Sequence, residues 1–166
     1  MSETLLPNDS AVSQMLHNDR MAETATGNIV SIGYEGMTAD QLIDALVAAD
    51  VTCLADVRLN AISRKAGLSK TRLSERLSDV GIDYRHFRSL GNPRDNRQPF
   101  HSGDLQVGIE KYRVGLSAEA AQKSLQELAE IGETGVLAVL CFERDHRSCH
   151  RQVVIDEILR ISSERC

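Results

Sequence analysis

Cys141, Glu143, Cys149, His150 and Arg151 fall within eleven consecutive residues, Cys141-Phe-Glu-Arg-Asp-His-Arg-Ser-Cys-His-Arg151. Those residue types can hold an anion, attack an electrophile or change redox state. Ser148 stands where a helix N-cap is expected, which would place Cys149 in the first turn. There, unpaired amide N–H groups and the helix dipole stabilise a thiolate. Such a thiol titrates below ~8.5 and serves as a nucleophile or redox group near neutral pH. His150 and Arg151 would add positive charge nearby. The plainer alternative is a buried cysteine that packs as a small hydrophobe.

Two other chemistries fit the same residues less well. Cys141 with Arg147 and Ser148 spells Cys-x5-Arg-Ser, the spacing of a phosphate-cradling cysteine loop. Such a loop needs glycine geometry and amides aimed at an oxyanion, whereas this one has no glycine and carries Glu143 and Asp145. A metal could draw on Cys141, Cys149, His150 and Glu143, but Cys-x7-Cys-His lacks the short paired spacing of structural zinc sites. Cys53 lies in an expected strand and Cys166 at the C-terminus, so neither completes a ligand set. The reading is of a site without metal or cofactor.

The elements that must position these groups follow from periodicity. Val136–Leu140 reads as a buried strand and Gln152–Leu159 as a helix, so the reactive run is a strand–loop–helix connection. Ile29–Ile32 is an earlier strand, ending at Gly33-Tyr34-Glu35-Gly36, whose glycines would let a ligand approach the backbone. Thr38 and Gln41 form a capping box ahead of Leu42, Leu46 and Ala49. Val51–Val57 is a strand closing on Asp56-Val-Arg58, a carboxylate and a guanidinium that either serve a ligand or pair with each other. Ser69 caps a helix with Leu73, Leu77 and Val80 inward and Gly81 as its stop. Ile82–Phe87 is the next strand. Arg88 to Asp104 reads as a long polar loop in which Arg94 and Arg97, with Arg85, His86 and Arg88, offer anion contacts. Two helices follow, one through Tyr112 and one from Ser117 to about Ile131.

Strands alternating with helices at this spacing predict a single three-layer α/β domain, Rossmann-like, with a mostly parallel sheet flanked by helices. In such sheets ligands sit beyond the C-terminal strand ends, where all these segments would converge. The 166 residues, 42% hydrophobic, suffice for one domain, expected over 28–166. Residues 1–27 read as a flexible polar tail with a short helix near Val12 to Leu16, and Met21 offers an alternative start. Neither a signal peptide nor a membrane span is expected, and four cysteines in that setting read as free thiols, so the chain is placed in the cytoplasm. Oligomeric state has no sequence signal. Net charge is −5, yet Arg58 to Arg97 holds ten Lys/Arg against four Asp/Glu, +6 locally and −11 elsewhere. That asymmetry marks either an anion-binding surface or a solvated face.

Taken together, Ser-Ile-Gly-Tyr-Glu-Gly36, Leu-Ala-Asp-Val-Arg58, Gly-Ile-Asp-Tyr-Arg85, Leu-Gly91 and above all Leu-Cys-Phe-Glu143 with Cys-His-Arg151 resemble the family named domain of unknown function 488. The likeness runs from Ile29 to about Ile158. It implies a small α/β domain with Asp56, Arg58, Cys141, Glu143, Cys149, His150 and Arg151 at characteristic positions. Asn92 follows Gly91 where the family often has a second glycine. The family carries no assigned reaction, so function rests on the residues. The leading expectation is an enzyme acting on an anionic or nucleotide-like small molecule. Cys149 would be its reactive thiol, Asp56 or Glu143 would handle protons, His150 would be a further catalytic group beside the thiol, and Arg58, Arg151, Arg94, Gly33, Tyr34 and Cys141 would contact substrate. The alternatives are a nucleic-acid-binding or nucleic-acid-processing module using residues 58–97, and a non-catalytic regulatory binding domain.

Overall fold

The computed structural model describes residues 25–166. The expected tail helix near Val12 to Leu16 lies outside that range. The end of the expected tail, Ala25–Thr26, forms a short strand β1, antiparallel to β2 (Ile29–Gly33). The order continues α1 (Ala39–Ala48), β3 (Cys53–Asp56), α2 (Lys70–Asp79), β4 (Asp83–His86), α3 (Gln98–Ser102), α4 (Leu105–Leu116), α5 (Glu119–Thr134), β5 (Leu137–Cys141) and α6 (Arg151–Arg165). The sheet runs β1-β2-β5-β3-β4, and its last four strands are parallel to one another. The expected three-layer α/β architecture is therefore present.

Alternation within the strands builds two cores. Cys53 and Ala55 of β3 and Leu137, Val139 and Cys141 of β5 face one side, packed with Tyr112, Leu125, Leu128, Val154 and Ile158 from α4, α5 and α6. Leu54, Ala138 and Leu140 face the other, against Leu42 and Leu46 of α1 and Leu73 and Leu77 of α2. Every residue of β3 and β5 is buried, which is why both read as continuous apolar runs. Each fully buried Leu contributes about 1.5–3 kcal/mol, so these layers set the strand order firmly.

The order has a consequence for function. The β2 to β3 connection crosses over β5 with α1 on one face, while α4 and α5 on the return from β4, and α6 after β5, lie on the opposite face. Neighbouring strands β2 and β5 thus send their chains to opposite sides, opening a crevice at their C-terminal ends. Register aligns those ends: Gly33 pairs with Cys141, and Asp56 pairs with Leu140. Gly33 is needed here for closeness. A Cβ at that position would lie 1.8 Å from the Glu143 carbonyl oxygen, so a side chain would push the β5 loop away.

Three local expectations are corrected. Val80 is exposed rather than inward, because α2 ends at Asp79 and the chain turns at Gly81 with φ +78°. The long polar segment is not irregular throughout, since it contains two 3-10 turns and helix α3. Ser148 does not cap the last helix. Asp145 instead caps a 3-10 turn over His146–Ser148, accepting from Arg147 N (2.9 Å) and from Ser148 Oγ (3.2 Å). Helix α6 consequently starts at Arg151, and Cys149 is extended, two residues ahead of it.

Candidate functional site

The loops leaving β2, β3 and β5 meet around a cavity of about 210 Å3. Tyr34, Arg58, Cys141, Glu143, Cys149 and His150 line it, together with Asn92, Arg97, Phe100 and His101 from the segment after β4. The volume is below the ~300–1,000 Å3 of drug-sized pockets, so it admits a small group or one end of a larger ligand. Ile62 and Phe142, both exposed, complete the lining with apolar surface. A second cavity of about 360 Å3, lined by Ser89, Asn96, Tyr112 and Leu116 among others, holds no thiol or imidazole.

Cys149 is the chemical centre. Its Sγ lies 3.7 Å from His150 Nδ1 and 3.3 Å from Glu143 Oε2. His150 Nε2 donates to the Val57 carbonyl at 3.0 Å, which aims Nδ1 at the sulfur. Burial pushes the Cys149 thiol up. A hydrogen bond from Cys141, one from His150 and the charges of His150 and Arg151 outweigh that and hold it well below the ordinary thiol value. The same contacts act reciprocally. Burial opposes charge on His150, but its bond to Cys149 and the thiolate charge raise it overall. Cys141 is raised, first by donating its S–H to Cys149 and then by burial, so it keeps its proton. Glu143 is raised by burial and then by the Cys149 charge.

Arg151 adds the last and smallest of these lowering contributions. It is 1% exposed, and none of the ion pairs among the described residues involves it. It donates to the Glu143 backbone carbonyl at 2.5 Å, while its Nε is buried without a partner. A buried guanidinium outside any ion pair is costly, so its charge favours negative charge at Cys149.

Asp56 and Arg58 resolve differently. Asp56 Oδ1 accepts from Arg58 Nε (2.8 Å) and Arg58 N (3.1 Å), and Oδ2 accepts from Arg58 Nη2 (2.5 Å) and Tyr84 Oη (2.5 Å). With both oxygens doubly occupied and no exposure, Asp56 is held in the pairing with Arg58 that was one of its two expected roles. Arg58 also donates to Tyr34 Oη (3.1 Å) and the Leu68 carbonyl (2.9 Å), and still reaches the cavity wall. Arg151 does not line the cavity, and neither does the exposed Arg94. Arg97 takes the place expected of Arg94. Gly33 acts by close packing, and its neighbour Tyr34 lines the wall with its ring edge-on to Phe142 at 5.3 Å.

The match to a protein-family model runs over residues 38–158 and describes a domain of unknown function, DUF488. The chain belongs to this family. Neither curated proteins nor solved structures gave a match. The DUF488 range includes Asp56, Arg58 and the whole Cys141–Arg151 run, while Gly33 and Tyr34 precede it. Arg147 of the phosphatase-like spacing is exposed and outside the cavity, so that spacing makes no anion cradle here. Donor atoms of Cys141, Cys149 and His150 lie within 4.8 Å of one another, close enough to take a soft metal ion. The buried charge of Arg151 opposes a dication at that point. Among the described residues no helix is long and apolar enough to cross a membrane.

Sequence reasoning did not place Asn92, Phe100, His101, Ile62 or Phe142 at the site. A signal for the α3 wall existed: Gln98-Pro99-Phe100 starts a helix with an early proline, and Gly103 ends it at φ +94°.

Proposed function

We propose that this chain is an enzyme in which the Cys149 thiolate attacks a small anionic substrate, or the anionic end of a nucleotide-like one, within the cavity. The observation that supports it is the cluster on the cavity wall, where Cys149 Sγ lies 3.7 Å from His150 Nδ1 and 3.3 Å from Glu143 Oε2, beside a buried Arg151 that joins no ion pair among the described residues. In this reading Cys149 is the nucleophile, His150 steadies its charge and Glu143 donates a proton to the leaving group. Arg97 on the cavity wall, helped by the remaining Nη2 hydrogen of Arg58, draws the anion in. The apolar lining at Ile62 and Phe142 supports a planar or apolar portion for which the cavity is too small. The basic 58–97 segment gives less support to a nucleic-acid module. Arg58, Arg72, Arg76 and Arg85 are all paired with carboxylates, which disperses the local charge.

Ligand protection tests this reading. Inorganic phosphate and a nucleoside monophosphate are expected to slow iodoacetamide labelling of Cys149. Arg97→Ala should weaken that protection roughly tenfold, the usual cost of a charge-assisted contact, while leaving unprotected labelling unchanged. Labelling that neither anion slows at millimolar concentration would reject the anionic substrate.

A further inference from the structure

Cys141 is a second thiol beside the reactive one, and nucleophilic attack by Cys149 makes no direct use of it. Both cysteines line the same cavity, with their sulfur atoms within 4.8 Å of each other. Cys141 ends β5 and Cys149 follows a 3-10 turn, so the pair spans a loop rather than a rigid element. We propose that Cys149 and Cys141 form a peroxide-oxidised dithiol, with Cys149 as the attacking sulfur and Cys141 as the resolving one. This gives the site a two-electron redox activity, with hydroperoxides as the oxidant class. It rests on the thiolate reading of Cys149.

The steps balance. The Cys149 thiolate attacks one peroxide oxygen, the O–O bond breaks and a sulfenic acid forms. The Glu143 carboxyl, 3.3 Å from the sulfur, gives its proton to the leaving oxygen, which departs as water or an alcohol, and regains a proton from solvent. Cys141 then attacks the Cys149 sulfur. The new S–S bond displaces hydroxide, which leaves as water with the Cys141 proton. Two thiols are oxidised to a disulfide, and one peroxide is reduced.

Two features favour Cys141 as the resolver. It keeps its proton, and so is spared direct oxidation, until the sulfenic acid has formed. The exposed Cys166 lies in the C-terminal segment after α6, and Cys53 is buried within β3. Neither lines the cavity.

The test uses the full chain carrying Cys166→Ser, treated with stoichiometric hydrogen peroxide in the presence of a chelator, quenched by alkylation and digested with trypsin. Cleavage at Arg144 and Arg147 separates the two cysteines, so a disulfide appears as a linked pair of peptides. The expected result is that linkage, reversed by a dithiol reductant and formed about tenfold or more faster than any oxidation of Cys53. Cys141→Ser should instead accumulate a Cys149 sulfenic acid trapped by dimedone. Sulfinic acid at Cys149 without linkage in the Cys141-bearing protein would overturn the pair and leave the thiolate intact. Cys149 inert to both peroxide and iodoacetamide would overturn the pair and the proposed function together.

Discussion

Arg58→Ala is expected to cost about 3–5 kcal/mol of folding stability, because it strands Asp56 as a buried carboxylate. Asp56 is 0% exposed and receives three of its four hydrogen bonds from Arg58. One of these comes from the backbone N–H and would survive the change, leaving it and Tyr84 as the remaining donors. For a chain of this length the loss corresponds to roughly 6–20 °C in Tm. Tyr84→Phe removes one bond to the same carboxylate and should cost less, about 1.5–3 kcal/mol. Thermal denaturation of both variants checks the ranking. If Arg58→Ala leaves Tm unchanged while anion protection of Cys149 disappears, Arg58 serves the ligand rather than the fold.

Arg151→Leu is the second large effect, and it acts on reactivity. Leu keeps part of the buried side-chain bulk and removes one of the charges that lower Cys149. Cys149 should then titrate higher. The rise of labelling with pH should therefore move to higher pH in the variant, and the thiolate fraction falls about tenfold for each unit only on the acid side of the titration point. Rates for variant and parent should converge in alkali, where both thiols are ionised. Stability gives an independent check, because Leu at this site also removes a buried, uncompensated cation once Cys149 is protonated. Below the lowered titration point of Cys149, the variant should therefore lose its disadvantage relative to the parent. The measurement is the rate of Cys149 alkylation against pH for both proteins, beside their thermal midpoints.

What was legible in the sequence follows from which forces act locally. The fully buried runs of β3 and β5 and the amphipathic faces carrying Leu42, Leu46, Leu73 and Leu77 are written in periodicity, and the parallel sheet follows from their alternation. The capping box at Thr38 is local as well, and both its bonds form, at 2.9 and 3.2 Å. The meeting of Gly33, Asp56 and Cys141 at one rim needed only parallel strands. Competition between local signals was not legible. Asp145 and Ser148 are both plausible caps, and Asp145 prevails because its carboxylate serves two donors in one turn. Pairing across the fold was hidden too. Nothing in the order of residues shows that Asp56 is consumed by Arg58 and Tyr84, or that Arg151 is buried in no ion pair among the described residues. The low Cys149 value therefore arises from Cys141, His150 and Arg151 rather than from a position inside the first helical turn, as expected from sequence.

The central claim is that Cys149 is a thiolate near neutral pH, and its alkylation rate against pH tests this most directly. The folded protein is labelled with iodoacetamide from acid to alkaline pH, and each cysteine is quantified by mass spectrometry. A thiol whose folded value is lowered becomes ionised, and hence reactive, at a pH below its ordinary 9.0. The account predicts that Cys149 labelling reaches its plateau well below that point and slows only when acid protonates the sulfur. Cys53 is the internal control, since burial and then the Asp83 charge push its thiol up to about 11. It should stay unlabelled throughout the range in which Cys149 reacts. Cys149 that remains inert at neutral pH in folded protein, or that gains reactivity only in parallel with Cys53, would contradict the account.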